Sequence, residues 1–481
     1  MIDNLKEETK KGVLWGLIER FSLQIIQFVI GIILARLLTP SDYGMIGMLS
    51  IFLALSQSIV DSGFTNALIQ KKNRTDVDYS TVFYFNLGIG VILYIICFFS
   101  SQLIATFFNQ PLLEPLFKVV ALTIFLNSLL IVQKAILTIR IDFRTQAIIS
   151  GVASLVSGVI GIILAYNKFG VWALAVQSII NGIIQTTMYW TMTKWKPQKV
   201  FSMKSFRELF SFGSKLLASG LIHTFYLKLS SLLIGKFYPA SDLGFYSRAE
   251  HLAALPLNNI TLVLQKTTFP ILSKIQDENE HLLRVYSKYL RISSLIIFFI
   301  IFLLVALAKP LVLFLLTAKW ESIIFPFQLL CISFLYDHLF SINLNLLQVK
   351  GRSDLFLKLE IYKKILSIGL ILGGLFLYGI IGLCIAKIIY SQIALVINTF
   401  YTGKYFHYPY KKQVKDFSPY LTAAIVCNIP SYLLTFWGDC YVLQLLIGSI
   451  LSCSIFIVVL KLRNDEFLQM GILYIKRIKN R

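Results

Sequence analysis

Long, almost entirely apolar runs recur along the whole chain, separated by short charged connections. Ile89–Phe99, Leu295–Leu307 and Leu366–Leu377 are three of them. A helix that spans a membrane needs roughly 20 mostly apolar residues, and with a connection the repeat is about 34 residues. A chain of 481 residues therefore has room for about fourteen such helices. The runs are continuous and do not alternate between apolar and polar residues, so a transmembrane β-barrel does not fit.

Composition supports an all-α polytopic membrane protein. Hydrophobic residues make up 57% of the chain and charged residues only 14%, whereas about a quarter of the residues of a typical soluble domain are charged. The predicted spans are 13–37, 43–65, 79–107, 112–133, 146–166, 169–192, 208–236, 241–268, 289–308, 322–347, 355–377, 379–402, 417–437 and 441–461.

The net charge of +21 has a topological explanation. If the N-terminus is cytoplasmic, 33 of the 45 Lys and Arg residues fall in cytoplasmic segments, 5 in outer loops and 7 inside helices. Basic residues concentrate on the cytoplasmic side of multi-pass proteins. We therefore expect a bacterial inner-membrane protein with both termini in the cytoplasm, and we do not expect nucleic acid as a partner.

A weak internal repeat groups the spans as six, six and two. Arg36–Gly44 and Lys236–Gly244 align without a gap, and both contain Ser-Asp-x-Gly between two spans. Two six-helix bundles related by a pseudo-two-fold axis along the membrane normal would produce this offset. The predicted bundles are 1–200 and 201–403, with two extra helices and a basic tail in 404–481. The motif itself is typical of a helix N-cap and turn.

Ionisable groups inside predicted spans are costly, so they are the first candidates for a functional site. Several form polar stripes at helical spacing together with amide side chains. The candidate substrate-binding residues are Arg20, Gln24, Gln27, Asp61, His223, Lys228, Arg248, His251, Asp337 and Lys387. Their excess of positive charge predicts a water-filled cavity for an anionic head group such as a lipid diphosphate. Alternatively, these groups only bond the helices to one another.

Signatures of enzymes are missing. The chain has no GxxxxGK[ST] loop, no HExxH and no GxSxG. Its five His and six Cys residues are scattered without metal-ligand spacing. We therefore expect no enzyme activity, no cofactor and no metal.

Three sequence segments carry a resemblance to a known family. Gly12–Trp15, Ile33–Gly44 and Asp61–Gln70 resemble the polysaccharide-transport family of the multidrug/oligosaccharidyl-lipid/polysaccharide flippase superfamily, and Arg140–Arg144 and Phe269–Ser273 fit it too. The resemblance implies two six-helix bundles with two C-terminal helices, working by alternating access. It also implies a flippase that moves undecaprenyl-diphosphate-linked oligosaccharide from the cytoplasmic to the periplasmic leaflet, for O-antigen, capsule or exopolysaccharide assembly.

The implied partners are that lipid-linked oligosaccharide and membrane lipids, with a polysaccharide polymerase and assembly proteins as further candidates. Two other functions stay open. A multidrug exporter of the same superfamily is one, although the basic excess argues against cationic drugs. A polysaccharide polymerase or ligase is the other, although no large outer loop is available to hold glycan.

Overall fold

The computed structural model describes residues 22–61, 63–470 and 473. In this part of the chain every regular element is a helix and no strand occurs. The helices are α1 (Ser22–Leu37), α2 (Pro40–Asp61), α3 (Phe64–Gln70), α4 (Asp76–Phe107), α5 (Leu113–Val120), α6 (Leu122–Ser128), α7 (Ile131–Ile139), α8 (Phe143–Tyr166), α9 (Val171–Thr193), α10 (Met203–Phe237), α11 (Ala240–Lys274), α12 (Asn279–Ala306), α13 (Ala308–Leu316), a 3₁₀ helix (Ala318–Ile323), α14 (Ile324–Ser333), α15 (Asp337–Val349), α16 (Ser353–Phe406), α17 (Tyr410–Leu434) and α18 (Tyr441–Leu462). The all-α class predicted from the apolar runs is confirmed.

Ten helical segments among the described residues are long and apolar enough to cross a membrane. The count becomes eleven if Leu113–Ser128 and Ile131–Ile139, which meet at a bend of 41°, form one broken span. The predicted span at 112–133 is therefore not one straight helix. The predicted total of fourteen is not reached by this criterion and stays a prediction.

Part of the difference between the predicted and the observed number of spans comes from α16, whose 54 residues contain two helices. Tyr378 and Gly379 have non-helical dihedral angles, and Gly379 has a φ of 65°. A Cβ atom on Gly374 would overlap the carbonyl oxygen of Gly382, and the reverse also holds. Residues eight apart on a straight helix lie about 12 Å apart, so the chain reverses here. The two arms correspond to the predicted spans 355–377 and 379–402.

Two further predicted spans fail the criterion for different reasons. The helix α11 has 35 residues but carries charged and polar residues from Arg248 to Lys274, which reduce its mean hydropathy. Only residues 22–37 of the first predicted span, 13–37, lie in the described part of the chain, so α1 is too short to count.

Contacts divide the chain into two compact units, one ending at Gly244 and the other beginning at Phe245. The predicted bundle boundaries at residues 200 and 403 stay a prediction. In the first unit, α2 packs along α10 and α8 along α9. An aromatic core around Phe64, Phe83 and Leu209 joins α3, α4, α7 and α10.

The two Ser-Asp-x-Gly motifs meet in the first unit. A Cβ on Gly44 would overlap the carbonyl oxygen of Ala240, and a Cβ on Gly244 would overlap that of Pro40. Each motif thus packs its glycine against the start of the helix that carries the other. The first motif lies at a helix start, as expected, but the capping residue is Thr39 just before it: the Asp42 carboxylate accepts hydrogen bonds from the Thr39 backbone N–H and hydroxyl, and the Asp42 N–H donates to the Thr39 hydroxyl.

In the second unit, α12 packs along α17, and α17 along α18. Small polar residues allow the last pair to approach closely. The Ser431 hydroxyl lies 2.7 Å from the Gly448 carbonyl oxygen and 2.6 Å from the Ser452 hydroxyl. Such contacts between small residues are a usual way for helices to associate in lipid.

Candidate functional site

Polar side chains of the first unit bond across α2, α6 and α10. The Asn127 amide donates to Gln57 at 2.8 Å, and the hydroxyls of Ser58 and Thr224 lie 3.2 Å apart. At the end of α2, the Thr65 hydroxyl donates to Asp61 at 2.6 Å. These bonds join helices at the positions where the sequence predicts polar stripes.

Five of the six predicted site residues of the first unit are described. Gln24 and Gln27 lie on α1, Asp61 ends α2, and His223 and Lys228 lie on α10. Gln27 and His223 are exposed, whereas Gln24, Asp61 and Lys228 are half-buried. Arg20 lies outside the described residues. Whether these side chains bind substrate stays a prediction.

The second unit contains an ion pair inside its helices. The Lys387 ammonium, on the second arm of α16, donates to Glu250 Oε1 of α11 at 2.6 Å and also to the Tyr246 hydroxyl. Tyr246, one turn before Glu250, donates to the same carboxylate oxygen at 3.0 Å. The side chains of Lys387 and Glu250 are 19% and 31% exposed, and their pairing offsets part of the cost of removing the two charges from water.

The other predicted residues of this unit lie close to the pair in sequence or in space. Arg248 and His251 flank Glu250 on α11; Arg248 is half-buried and His251 exposed. Asp337 begins α15, is half-buried, and is attracted electrostatically by Lys387 and Lys363. The second unit thus gathers a basic and acidic cluster on α11, α15 and α16.

Sequence reasoning selected Lys387 but left Glu250 and Tyr246 out of the candidate site. The signal was present, because an ionised amine in the middle of an apolar helix requires a carboxylate partner. Glu250 is an acid inside a predicted span, so it was the natural candidate. What the sequence could not provide was the packing of α11 against α16.

A second charged network joins α4 to α10 in the first unit. Lys71 donates to Asp78 and to Glu208, each at 3.0 Å, and Asp78 also accepts from the Thr75 backbone in a capping box. Burial lowers the pKa of Lys71, but the hydrogen bonds to Glu208 and Asp78 outweigh it and raise that pKa. Lys71 therefore stays charged at neutral pH and fixes the beginning of both helices.

The described residues offer no group of three or more His, Cys, Asp or Glu side chains that could hold a metal ion. The cysteines among them are all free thiols, four buried and two exposed. The polar chemistry of this part of the chain consists of ion pairs and amide or hydroxyl bonds between helices.

Membrane-spanning helices joined by such bonds define a multi-pass α-helical membrane protein. The family profile described as "Polysaccharide biosynthesis protein" matches residues 33–325. The chain belongs to this family, and the resemblance found in the sequence is confirmed.

Curated relatives and solved structures agree with this family. The lipopolysaccharide biosynthesis protein WzxC of Escherichia coli (strain K12) is 26% identical over 82% of this chain and 81% of its own. The succinoglycan biosynthesis transport protein ExoT of Rhizobium meliloti (strain 1021) is 24% identical over 66% of this chain and 64% of its own. The structure of the lipid II flippase MurJ in an inward closed conformation has a TM-score of 0.79, with 14% identity, covering 95% of this chain and 100% of that one. The fold is therefore MurJ-like.

Proposed function

We propose that this protein is a flippase for undecaprenyl-diphosphate-linked oligosaccharide. It moves the repeat unit from the cytoplasmic to the periplasmic leaflet of the bacterial inner membrane, for O-antigen, capsule or exopolysaccharide assembly. The observation that carries the proposal is the agreement between family membership and a fold that matches a lipid flippase over nearly the whole chain.

The charges inside the helices support an anionic substrate. Lys228 and Arg248 lie on α10 and α11 of the described chain, and Arg20 falls in the first predicted span, whereas Lys387 on α16 is paired with Glu250. Arginine binds phosphate oxygens bidentately and lysine binds them as a point charge. Alternating access around these bases would carry a diphosphate head group through the apolar interior.

The connections between helices favour transport over glycan chemistry. Among the described residues the longest connection between successive helices runs only from Lys194 to Ser202. A polymerase or ligase would need an outer segment able to bind growing glycan. We propose that the protein is not an enzyme, that both termini are cytoplasmic, and that a polymerase acts after it.

Deletion of the gene tests the function directly. We expect lipid-linked repeat units to accumulate in the cytoplasmic leaflet and surface glycan to disappear, because a charged, polar head group crosses the apolar bilayer interior only very slowly without a protein. Accessibility of the glycan to an impermeant periplasmic glycosidase measures the orientation. Normal arrival of lipid-linked units in the periplasm of the deletion strain would contradict the proposal.

The double variant Arg20→Ala/Lys228→Ala tests the predicted cavity. We expect at least a tenfold lower rate of translocation, because two cations that bind the diphosphate are removed. The control Lys196→Ala/Lys199→Ala removes the same charge from two exposed residues between α9 and α10. Wild-type transport by the first double variant, at equal protein abundance, would remove both residues from the site.

A further inference from the structure

A cavity of about 580 Å³ opens in the second unit. It lies between the beginning of α12, the α16–α17 connection and the segment after α18, and this volume is in the range of small-molecule sites. Its basic lining residues are Arg284, Lys288, Arg291 and Lys412. Its acidic lining residues are Glu280, Asp416 and Glu466.

Two of the three acids are already satisfied by protein donors. Asp416 accepts a hydrogen bond from the Ser287 hydroxyl at 2.8 Å and another from the Tyr408 hydroxyl. Arg291 Nε lies 3.4 Å from Asp416 Oδ1, and its Nη1 donates to Glu466 Oε1 at 3.2 Å. Arg291 therefore neutralises acids of the cavity and is not available to a ligand.

The other three basic residues of the lining form no ion pair with the described residues. Arg284 and Lys288 lie one turn apart on α12, and both are exposed, as is Lys412 of α17. Within the described chain none of the three has a carboxylate oxygen within 4 Å, although Glu280 also lines the cavity. The Lys288 ammonium lies 3.8 Å from the Met470 sulfur, and that of Lys412 lies 4.6 Å from the centre of the Tyr408 ring.

A buried polar network holds the cavity in shape. Tyr286, beside Ser287 on α12, donates to Asn343 Oδ1 at 2.9 Å. Asn343 and Gln413 exchange amide hydrogen bonds at 3.0 and 3.1 Å, and Gln413 also donates to the Thr402 hydroxyl at 3.0 Å. This network joins α12, α15, α16 and α17, so the basic side chains project from helices fixed in relative position.

We propose that this cavity binds the phosphate group of an anionic ligand through Arg284, Lys288 and Lys412. Four bases against three acids, Glu280 included, leave the lining with a formal charge of +1, and among the described residues the three bases have no carboxylate within 4 Å, so the site suits a singly charged phosphate diester. The cavity is at the charged beginning of α12, before the apolar run Leu295–Leu307, and the predicted topology places that end at the cytoplasmic surface. Basic pockets between helices at this surface bind anionic lipid head groups, and a soluble phosphate compound has the same chemistry.

The experiment compares two phosphate sources on the purified full-length protein in detergent. Native mass spectrometry and the shift in apparent unfolding temperature measure binding of cardiolipin and of inorganic pyrophosphate, with phosphatidylcholine, a zwitterionic lipid without net charge, as the reference. For Arg284→Ala/Lys412→Ala we expect roughly 30-fold weaker binding, since each Lys or Arg near an anionic group contributes about a factor of five. Lys196→Ala/Lys199→Ala is the matched control, and Lys288→Gln is a second, single-residue test.

Cardiolipin binding that is lost in the double variant and kept in the control supports a lipid head group as the ligand. The same pattern with pyrophosphate alone supports a soluble phosphate compound. Wild-type affinity of the double variant for both probes, or equal binding of phosphatidylcholine, would overturn the proposal. None of these results depends on whether the protein is a flippase, because binding is measured without transport.

Discussion

Replacing Gly44 with valine is expected to leave little folded protein in the membrane. The first carbon of any side chain at this position overlaps the carbonyl oxygen of Ala240, which belongs to a helix start and cannot turn aside. Overpacking a well-packed site usually reduces the free energy of unfolding by about 1–3 kcal/mol. Because the overlapping atom belongs to the backbone, we expect this substitution to lie at or above the upper end of that range. Fluorescence-detected size-exclusion chromatography of detergent extracts measures the folded fraction, and heating the extracts gives the apparent unfolding temperature.

Gly244→Val is expected to have the same effect, because its side chain would meet the Pro40 carbonyl oxygen. The matched control is Gly88→Val on α4, where nothing lies within 4 Å of an added Cβ. Gly44→Ala should already reduce the unfolding temperature, whereas Gly88→Ala should leave it unchanged. Equal unfolding temperatures of the Gly44 and Gly88 variants would show that the two helix starts do not touch in the membrane.

The second large effect is expected from the half-buried ion pair of Lys387 and Glu250. Lys387→Met removes the ammonium that donates to Glu250 Oε1, and breaking a fully buried pair costs about 3–5 kcal/mol. Because 31% of the Glu250 side chain remains exposed, we expect a smaller loss of roughly 2–3 kcal/mol. The double variant Lys387→Met/Glu250→Gln should recover most of it, since neither charge then remains. Thermal unfolding of the four proteins in one double-mutant cycle measures the coupling between the two residues.

Lys118 and Glu114 provide the comparison. Their charged atoms are 2.7 Å apart, similar to those of Lys387 and Glu250, but their side chains are 32% and 38% exposed on the surface of α5. Pairs four residues apart on one helix contribute about 0.3–0.5 kcal/mol, so Lys118→Met should change little. If Lys387→Met destabilises no more than Lys118→Met, then Glu250 does not depend on Lys387 for its charge.

Helix positions were predictable wherever an apolar run ends at a turn residue. The predicted spans 79–107, 146–166 and 441–461 differ by at most three residues at either end from α4, α8 and α18. The fourth predicted span was wrong as a single helix, since it divides into α5, α6 and α7. No Gly or Pro lies between Leu113 and Ile139 except Pro115 near the start, so no local signal marked the bend.

The candidate site was predictable in kind but not in its pairings. Lys387, Arg248 and Asp337 were identified from their apolar surroundings alone, because a charged side chain inside a membrane costs free energy and usually has a function. Which carboxylate stabilises Lys387 depends on how α11 and α16 pack, and helices far apart in sequence leave no trace of that contact in a single chain. The same holds for the cavity at Arg284. In the sequence its basic residues indicate only the cytoplasmic side of the membrane, and nothing shows that they line one cavity.

The reversal of α16 at Tyr378 and Gly379 also bears on how the chain enters the bilayer during synthesis. Only Tyr378 and Gly379 separate the two arms. A connection this short keeps the second arm next to the first as it is synthesised. The backbones of the two arms touch at Gly374 and Gly382, so the first arm already offers a matching surface when the second emerges. The pair is thus suited to leave the translocation channel together, as one preassembled hairpin.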